Sequence, residues 1–150
     1  MKQFYFKITL ACVVLFLSCN KDNNDVALSI EEEIHQLINN HRESMGLQPL
    51  KNNATAYKLA KDHNTYMINA QIISHDNFNK RITHLQNNEN AIFIGENVAA
   101  NFNTAEEVVA AWLDSPGHRK NIEEDFTHTG IAASKDNAGH YYFTQIFFRK

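Results

Sequence analysis

The chain predicts an α+β domain. Helical periodicity, opened repeatedly by capping signals, runs through most of the sequence, and the last stretch switches to strand-like runs around a turn. The first helix opens at Ser29, where Glu32 completes a capping box and Glu31 and Glu33 favour the positive end of the dipole. Ile30, Ile34, Leu37, Ile38 and Met45 form its buried stripe, and Gly46 stops it. Leu47 to Leu50 turns the chain, and a second helix follows from about Asn53 to Ile72. Its recurring positions are Tyr57, Ala60, His63 or Asn64, Met67 and Ala70. Beyond Ser74-His75-Asp76 the pattern weakens to a short helix over Lys80 to Leu85. Thr104 with Glu107 is a second capping box, opening a helix through Val108, Val109 and Trp112. Ser115-Pro116 then caps and starts one more short turn, with proline at a first helical position. Gly130 to Ala133 and Tyr141 to Phe148 read as two strands of a hairpin, joined by the turn-rich Lys135 to Gly139.

The N-terminus has the features of an export leader. Lys2 and Lys7 give a positive start, and Ile8 to Leu17 is an apolar run of signal-peptide length, short of the roughly 20 residues a membrane span needs. It ends in Leu15-Phe16-Leu17-Ser18-Cys19, which resembles a lipobox with Phe16 at a place usually held by leucine. The expected organisation is a lipoprotein signal peptide over 1–18, a lipidated Cys19 opening a polar tether over 19–28, and one domain over 29–150. The expected location is the bacterial cell envelope, with a lipid anchor in the outer membrane facing away from the cytoplasm. The two cysteines are Cys12, lost with the leader, and Cys19, so the domain must be stable without an internal disulfide. Fourteen basic and 17 acidic residues give a net charge of −3, and losing Lys2 and Lys7 takes it to −5. No basic stripe accompanies that charge, which argues against a nucleic-acid partner.

Four segments carry chemistry or packing too particular for generic helix or strand. They are His75 with Arg81-Ile82; Gly95-Glu96-Asn97-Val98; Trp112 to Ile122, with its Ser115-Pro116-Gly117-His118 turn; and Phe143-Thr144-Gln145-Ile146-Phe147. In this order they resemble the bacterial branch of the CAP superfamily (cysteine-rich secretory, antigen 5 and pathogenesis-related 1 proteins, also called SCP-like). The resemblance implies a three-layer α-β-α sandwich around a small antiparallel sheet of about three strands, and a polar cleft. The family's cleft histidine and glutamate match His75 and Glu96. A second glutamate would fall near Ser115 and a second histidine at Tyr142, so this chain departs from that pattern. His118 from the tryptophan segment is the substitute entering the same cleft.

The residues themselves leave several roles open. His75, just past a helix end, suits a cap as well as a cleft. Glu96 follows the apolar run Ala91 to Ile94, so it should lie inside and need a partner; it serves either a functional cleft or a structural network. Ser115 and His118 at helical spacing suggest a serine mechanism, but Ser115 reads as an N-cap and no nucleophile elbow occurs. Two imidazoles and a carboxylate, His75, His118 and Glu96, would suit a divalent metal such as zinc, although no His-Glu-x-x-His motif is present. His35, His41, His84 and His128 read as solvated, His63 as a satisfied core histidine, and Trp112 as a core anchor. The favoured function is binding of a lipid, glycan or peptide ligand in a cleft lined by His75, Glu96, His118, Tyr142 and Ser115, with no cofactor required. The alternative is a metal-dependent hydrolase acting on envelope peptides or glycans.

Overall fold

A computed structural model describes residues 27–150. The leader, Cys19 and most of the tether lie outside the described residues. The elements run α1 (Ile30–Ser44), β1 (Lys51–Asn52), α2 (Ala54–Ala70), α3 (Phe78–Glu89), β2 (Phe93–Ala100), α4 (Ala105–Asp114), α5 (Pro116–Glu123), β3 (His128–Lys135) and β4 (Tyr141–Arg149).

Local signals set most helix starts. Ser29 and Glu32 close the expected capping box on α1, and Asn53 caps α2 by accepting from Ala56 N. Thr104 caps α4 through Glu107 N, while the Glu107 carboxylate bonds Asn103 N rather than Thr104 N. The Ser115 hydroxyl makes no cap bond to α5, so its expected N-cap bond is a correction; Pro116 at the first position starts that helix without it.

The sheet order is β1-β3-β4-β2, with β2–β4 and β3–β4 antiparallel and the two-residue β1 added parallel to β3. It is therefore a mixed four-stranded sheet, where the residues alone predicted a hairpin and the resemblance about three antiparallel strands. β1 is too short to leave a periodic pattern, and β2 carries Gly95, Glu96 and Asn97, residue types depleted in strands. Helices cover both faces. Ile34, Ile38, Trp112, Ile122 and Phe126 pack with Phe143 and Phe147 on one side, and Ala56, Ala60 and Leu85 pack with Ile146 and Phe148 on the other. That sandwich explains why Phe143 to Phe148 is buried without interruption.

The stripe positions need three corrections. Met45 is 59% exposed because α1 ends at Ser44 and Met45 lies beyond its last turn. Tyr57 and Ala70 are exposed; the buried face of α2 is Ala56, Ala60, His63, Asn64 and Met67, rotated so that its alanines meet β3. Among the histidines expected in solvent, His35 bonds the Leu50 carbonyl at 2.9 Å, His41 pairs with Glu123 at 2.9 Å, and His128 stacks on Phe148. A buried arginine completes the frame: Arg42, 1% exposed, donates to the carbonyls of Gln48, Ile122, Glu124 and Phe126 and ties α1 to the chain leaving α5.

Candidate functional site

Because β2 is an edge strand, its outer backbone groups need cover. Two side chains from the tryptophan segment supply it. Asn121 Nδ2 donates to Glu96 O at 3.1 Å, and Trp112 Nε1 donates to Val98 O at 3.4 Å. Trp112 is 1% exposed, the anchor the sequence suggested. Alternation then sends the Glu96 side chain toward the α2–α3 layer and the Asn97 side chain toward α5. Asn97 Nδ2 donates to His118 O at 3.1 Å and accepts at Oδ1 from Asn121 Nδ2 at 2.8 Å. Gly95 makes the approach of α5 feasible, since a Cβ there would sit 3.0 Å from Asn121 Oδ1 and from Phe126 Cζ.

Glu96 is the centre of the site. Its carboxylate accepts from Arg81 Nε at 2.6 Å and Arg81 Nη2 at 2.7 Å, a bidentate pair, and from His75 Nδ1 at 2.9 Å. Arg81 is itself tied to the loop by Nη1 bonding Asp76 O at 2.9 Å. Burial pushes the Glu96 carboxyl up, but the hydrogen bonds from His75 and Arg81 and the guanidinium charge outweigh it, and the group is held below the usual carboxylate range. A carboxylate only accepts, so His75 carries its proton on Nδ1 and turns Nε2 outward on a side chain that is 52% exposed.

Burial disfavours the charged form of the two other imidazoles. His63 is buried, donates from Nε2 to Ser74 O at 2.7 Å, and lies 4.0 Å from Glu96 Oε1. Burial lowers its pKa, the Ser74 carbonyl opposes that shift, and Arg81 adds to it. His63 is thus a satisfied core histidine that also walls the Glu96 pocket. Burial lowers the pKa of His118 as well, and the charge of His75 lowers it further. His75 and His118 come from opposite helical layers, near enough for the charge of one to act on the other.

Ser115 and Tyr142 are placed elsewhere. Ser115 forms the α4–α5 junction, its N–H bonded to Ala111 O and its carbonyl to Arg119 N. Tyr142 pairs with Ala100 and shares the Glu96 face, but roughly 13 Å along the strand. There it lines a separate pocket of about 340 Å³ with Gln71 and Asp136. The metal set is poorly served by this geometry. Both Glu96 oxygens already hold hydrogen bonds, and among the described residues no group of three or more His, Cys, Asp or Glu side chains is placed to hold a metal ion. Sequence alone presents Arg81 and Asn97 only as parts of their segments and Asn121 only as a residue bonding loop carbonyls; it misses that Arg81 pairs with Glu96 and that Asn97 and Asn121 bind α5 to β2. A buried glutamate demanded a cation, and Arg81 was the signal that would have identified it.

Asn121 gives a direct check on how α5 is held. Asn121→Ala removes two donor contacts to β2 and is expected to cost about 1–3 kcal/mol. The His118 ring resonances should move while the Arg81–Glu96 contacts persist, as read by urea unfolding and by imidazole proton spectra. Unmoved His118 signals would refute the positioning role.

The model of the family described as CAP, the cysteine-rich secretory protein family, matches residues 35–147. The uncharacterized protein YkwD of Bacillus subtilis is 34% identical over 108 residues, which is 67% of this chain and 41% of that protein. The chain therefore spans about two-fifths of the length of that relative. Among solved structures, an extracellular protein containing a SCP domain from Bacillus anthracis is 30% identical with a TM-score of 0.66, over 81% of this chain and 40% of that one. An outer surface protein from Borrelia burgdorferi has a TM-score of 0.72 at 22% identity, covering 82% of this chain and 96% of that one, a likeness of fold.

Proposed function

Because the chain belongs to the CAP family of cysteine-rich secretory proteins, we propose that it is an extracytoplasmic CAP-domain lipoprotein that binds a neutral polar ligand over the β2 edge. The ligand is a lipid headgroup, a glycan or a peptide, and His75 and His118 are its contacts. One observation carries this reading: Glu96 is saturated by Arg81 and His75. The Arg81 and Glu96 charges cancel, burial disfavours the charged forms of His63 and His118, and the outward-facing groups are imidazole nitrogens able to hydrogen-bond. Such a site favours neutral donors and acceptors over an ion. Glu96 acts here as the orienter of His75.

Location outside the cytoplasm is supported by the leader pattern, by Cys19 as the lipidation site, and by relatives named as outer-surface and extracellular proteins. No helix among the described residues is long and apolar enough to cross a membrane.

The test is a titration of the protein with three probes, namely phosphatidylethanolamine vesicles, a disaccharide-peptide fragment of peptidoglycan and a mixed peptide pool, followed by the His75 and His118 ring resonances. One probe is expected to saturate. Its affinity should fall roughly tenfold in His118→Ala and again in His75→Ala, the loss of about one hydrogen bond each, with both variants still folded. Binding indifferent to both substitutions would overturn the assignment.

A further inference from the structure

The opposite edge of the sheet is built differently. β3 runs over eight residues, but β1 covers only its start, at His128 and Thr129, before the chain turns into α2. Thr129 directs its carbonyl outward to Asn53 N at 2.8 Å, and Ala133 directs its N–H outward to Glu31 Oε1 at 3.2 Å. Ile131 lies between them in the same alternation, so its N–H and C=O also point away from β4. Among the described residues β1 does not pair with them, since its ladder ends at Thr129. They open into a groove of about 590 Å³ between the first turns of α1 and α2, lined by Glu31, Glu32, Asn52, Tyr57, Gly130 and Ile131. Tyr57 is 41% exposed in its wall.

We propose that this groove is a second binding site, for an extended, basic peptide segment that adds to the β3 edge where β1 leaves off. Its backbone pairs with the N–H and C=O of Ile131, the interaction by which strands are added to open sheet edges. Its apolar side chain rests on Tyr57, and its lysine or arginine meets Glu31 and Glu32. Each of those carboxylates has one oxygen committed, Glu31 to Ala133 N and Glu32 to Ser29 N, so each has one to offer. The acidic rim is what selects a basic segment; an anionic ligand is repelled even though two helix N-termini are near. The site is separate from the cleft over β2, since β4 and β2 lie between β3 and that edge.

The experiment uses ¹⁵N-labelled protein and the blocked peptide acetyl-Lys-Val-Lys-Val-Lys-amide, with the glutamate analogue as its counterpart. Saturable shifts are expected at the amides of Ile131, Ala133 and Tyr57, with slowed exchange of the Ile131 amide proton. The paired variants Glu31→Gln and Glu32→Gln keep the capping and strand contacts through the amide oxygen, and each should weaken binding roughly threefold to fivefold. Equal shifts from the glutamate peptide, shifts centred on His75 and His118, or no shift up to millimolar peptide would each overturn the proposal.

Discussion

Gly130→Ala is expected to cost at least about 3 kcal/mol, a large part of the roughly 5–15 kcal/mol that holds a domain of this size together. The reason is local and steric. A Cβ on Gly130 would fall deep inside the contact distance of Tyr57 N and of the Ala56 carbonyl carbon, and 2.7 Å from Ala56 Cβ. Those atoms are mostly backbone of the first turn of α2, so no rotamer change relieves the overlap. The helix must lift from the sheet, and it carries His63 and Asn64 with it. Asn64 bonds Ala132 O at 2.9 Å and accepts from Thr144 Oγ1 at 2.6 Å, a buried network that cannot follow the shift. Gly117→Ala is the control, because nothing lies within 4 Å of its Cβ position and alanine favours a helix by up to about 1 kcal/mol. Urea unfolding should show the midpoint falling sharply for Gly130→Ala and holding or rising for Gly117→Ala. Equal midpoints would mean that α2 does not rest on β3 as described.

The fold was legible wherever a backbone signal is local. Ser29 with Glu32, Thr104, and Pro116 each mark a helix start by supplying an acceptor for an orphan N–H or by dispensing with that N–H, and those starts are where the sequence placed them. The β3–β4 hairpin was legible for the same reason. β2 was not, because a strand covered on both faces loses its alternation and this one holds a glycine, a glutamate and an asparagine. The site divides along the same line. His75 with Glu96 could be anticipated from a family resemblance and from the cost of burying a lone carboxylate. Arg81, fifteen residues before Glu96 on a different element, becomes its partner only once α3 joins α2 on that face of the sheet. Asn97 and Asn121 are polar residues without a spacing signal, and their role follows from β2 being an edge, which depends on the strand order of the whole sheet.

The Arg81–Glu96 pair is where stability and site chemistry meet, and Arg81→Met separates them. Glu96 is 5% exposed, so removing its guanidinium partner strands a buried carboxylate and is expected to cost about 3–5 kcal/mol at neutral pH. The pH dependence should also reverse. In the native protein the Glu96 carboxyl lies below its ordinary value, so its contribution is present above that value and is lost as pH falls through the folded pKa. Without Arg81, burial, the largest influence on Glu96, is opposed mainly by His75, and the carboxyl rises above its ordinary value. A raised carboxyl weakens the fold at neutral pH and ceases to do so as pH falls toward about 4.3, where the unfolded group also takes a proton. Arg81→Met should therefore gain stability relative to the native protein as pH falls from 7 toward about 4.3. Adding Glu96→Gln should recover most of the loss at pH 7, because both charges are then gone. Urea midpoints for the native protein, Arg81→Met, Glu96→Gln and the double variant at the two pH values measure the coupling directly. A loss below about 1 kcal/mol, or a double variant no more stable than Arg81→Met alone, would show that the carboxylate is held by something other than Arg81.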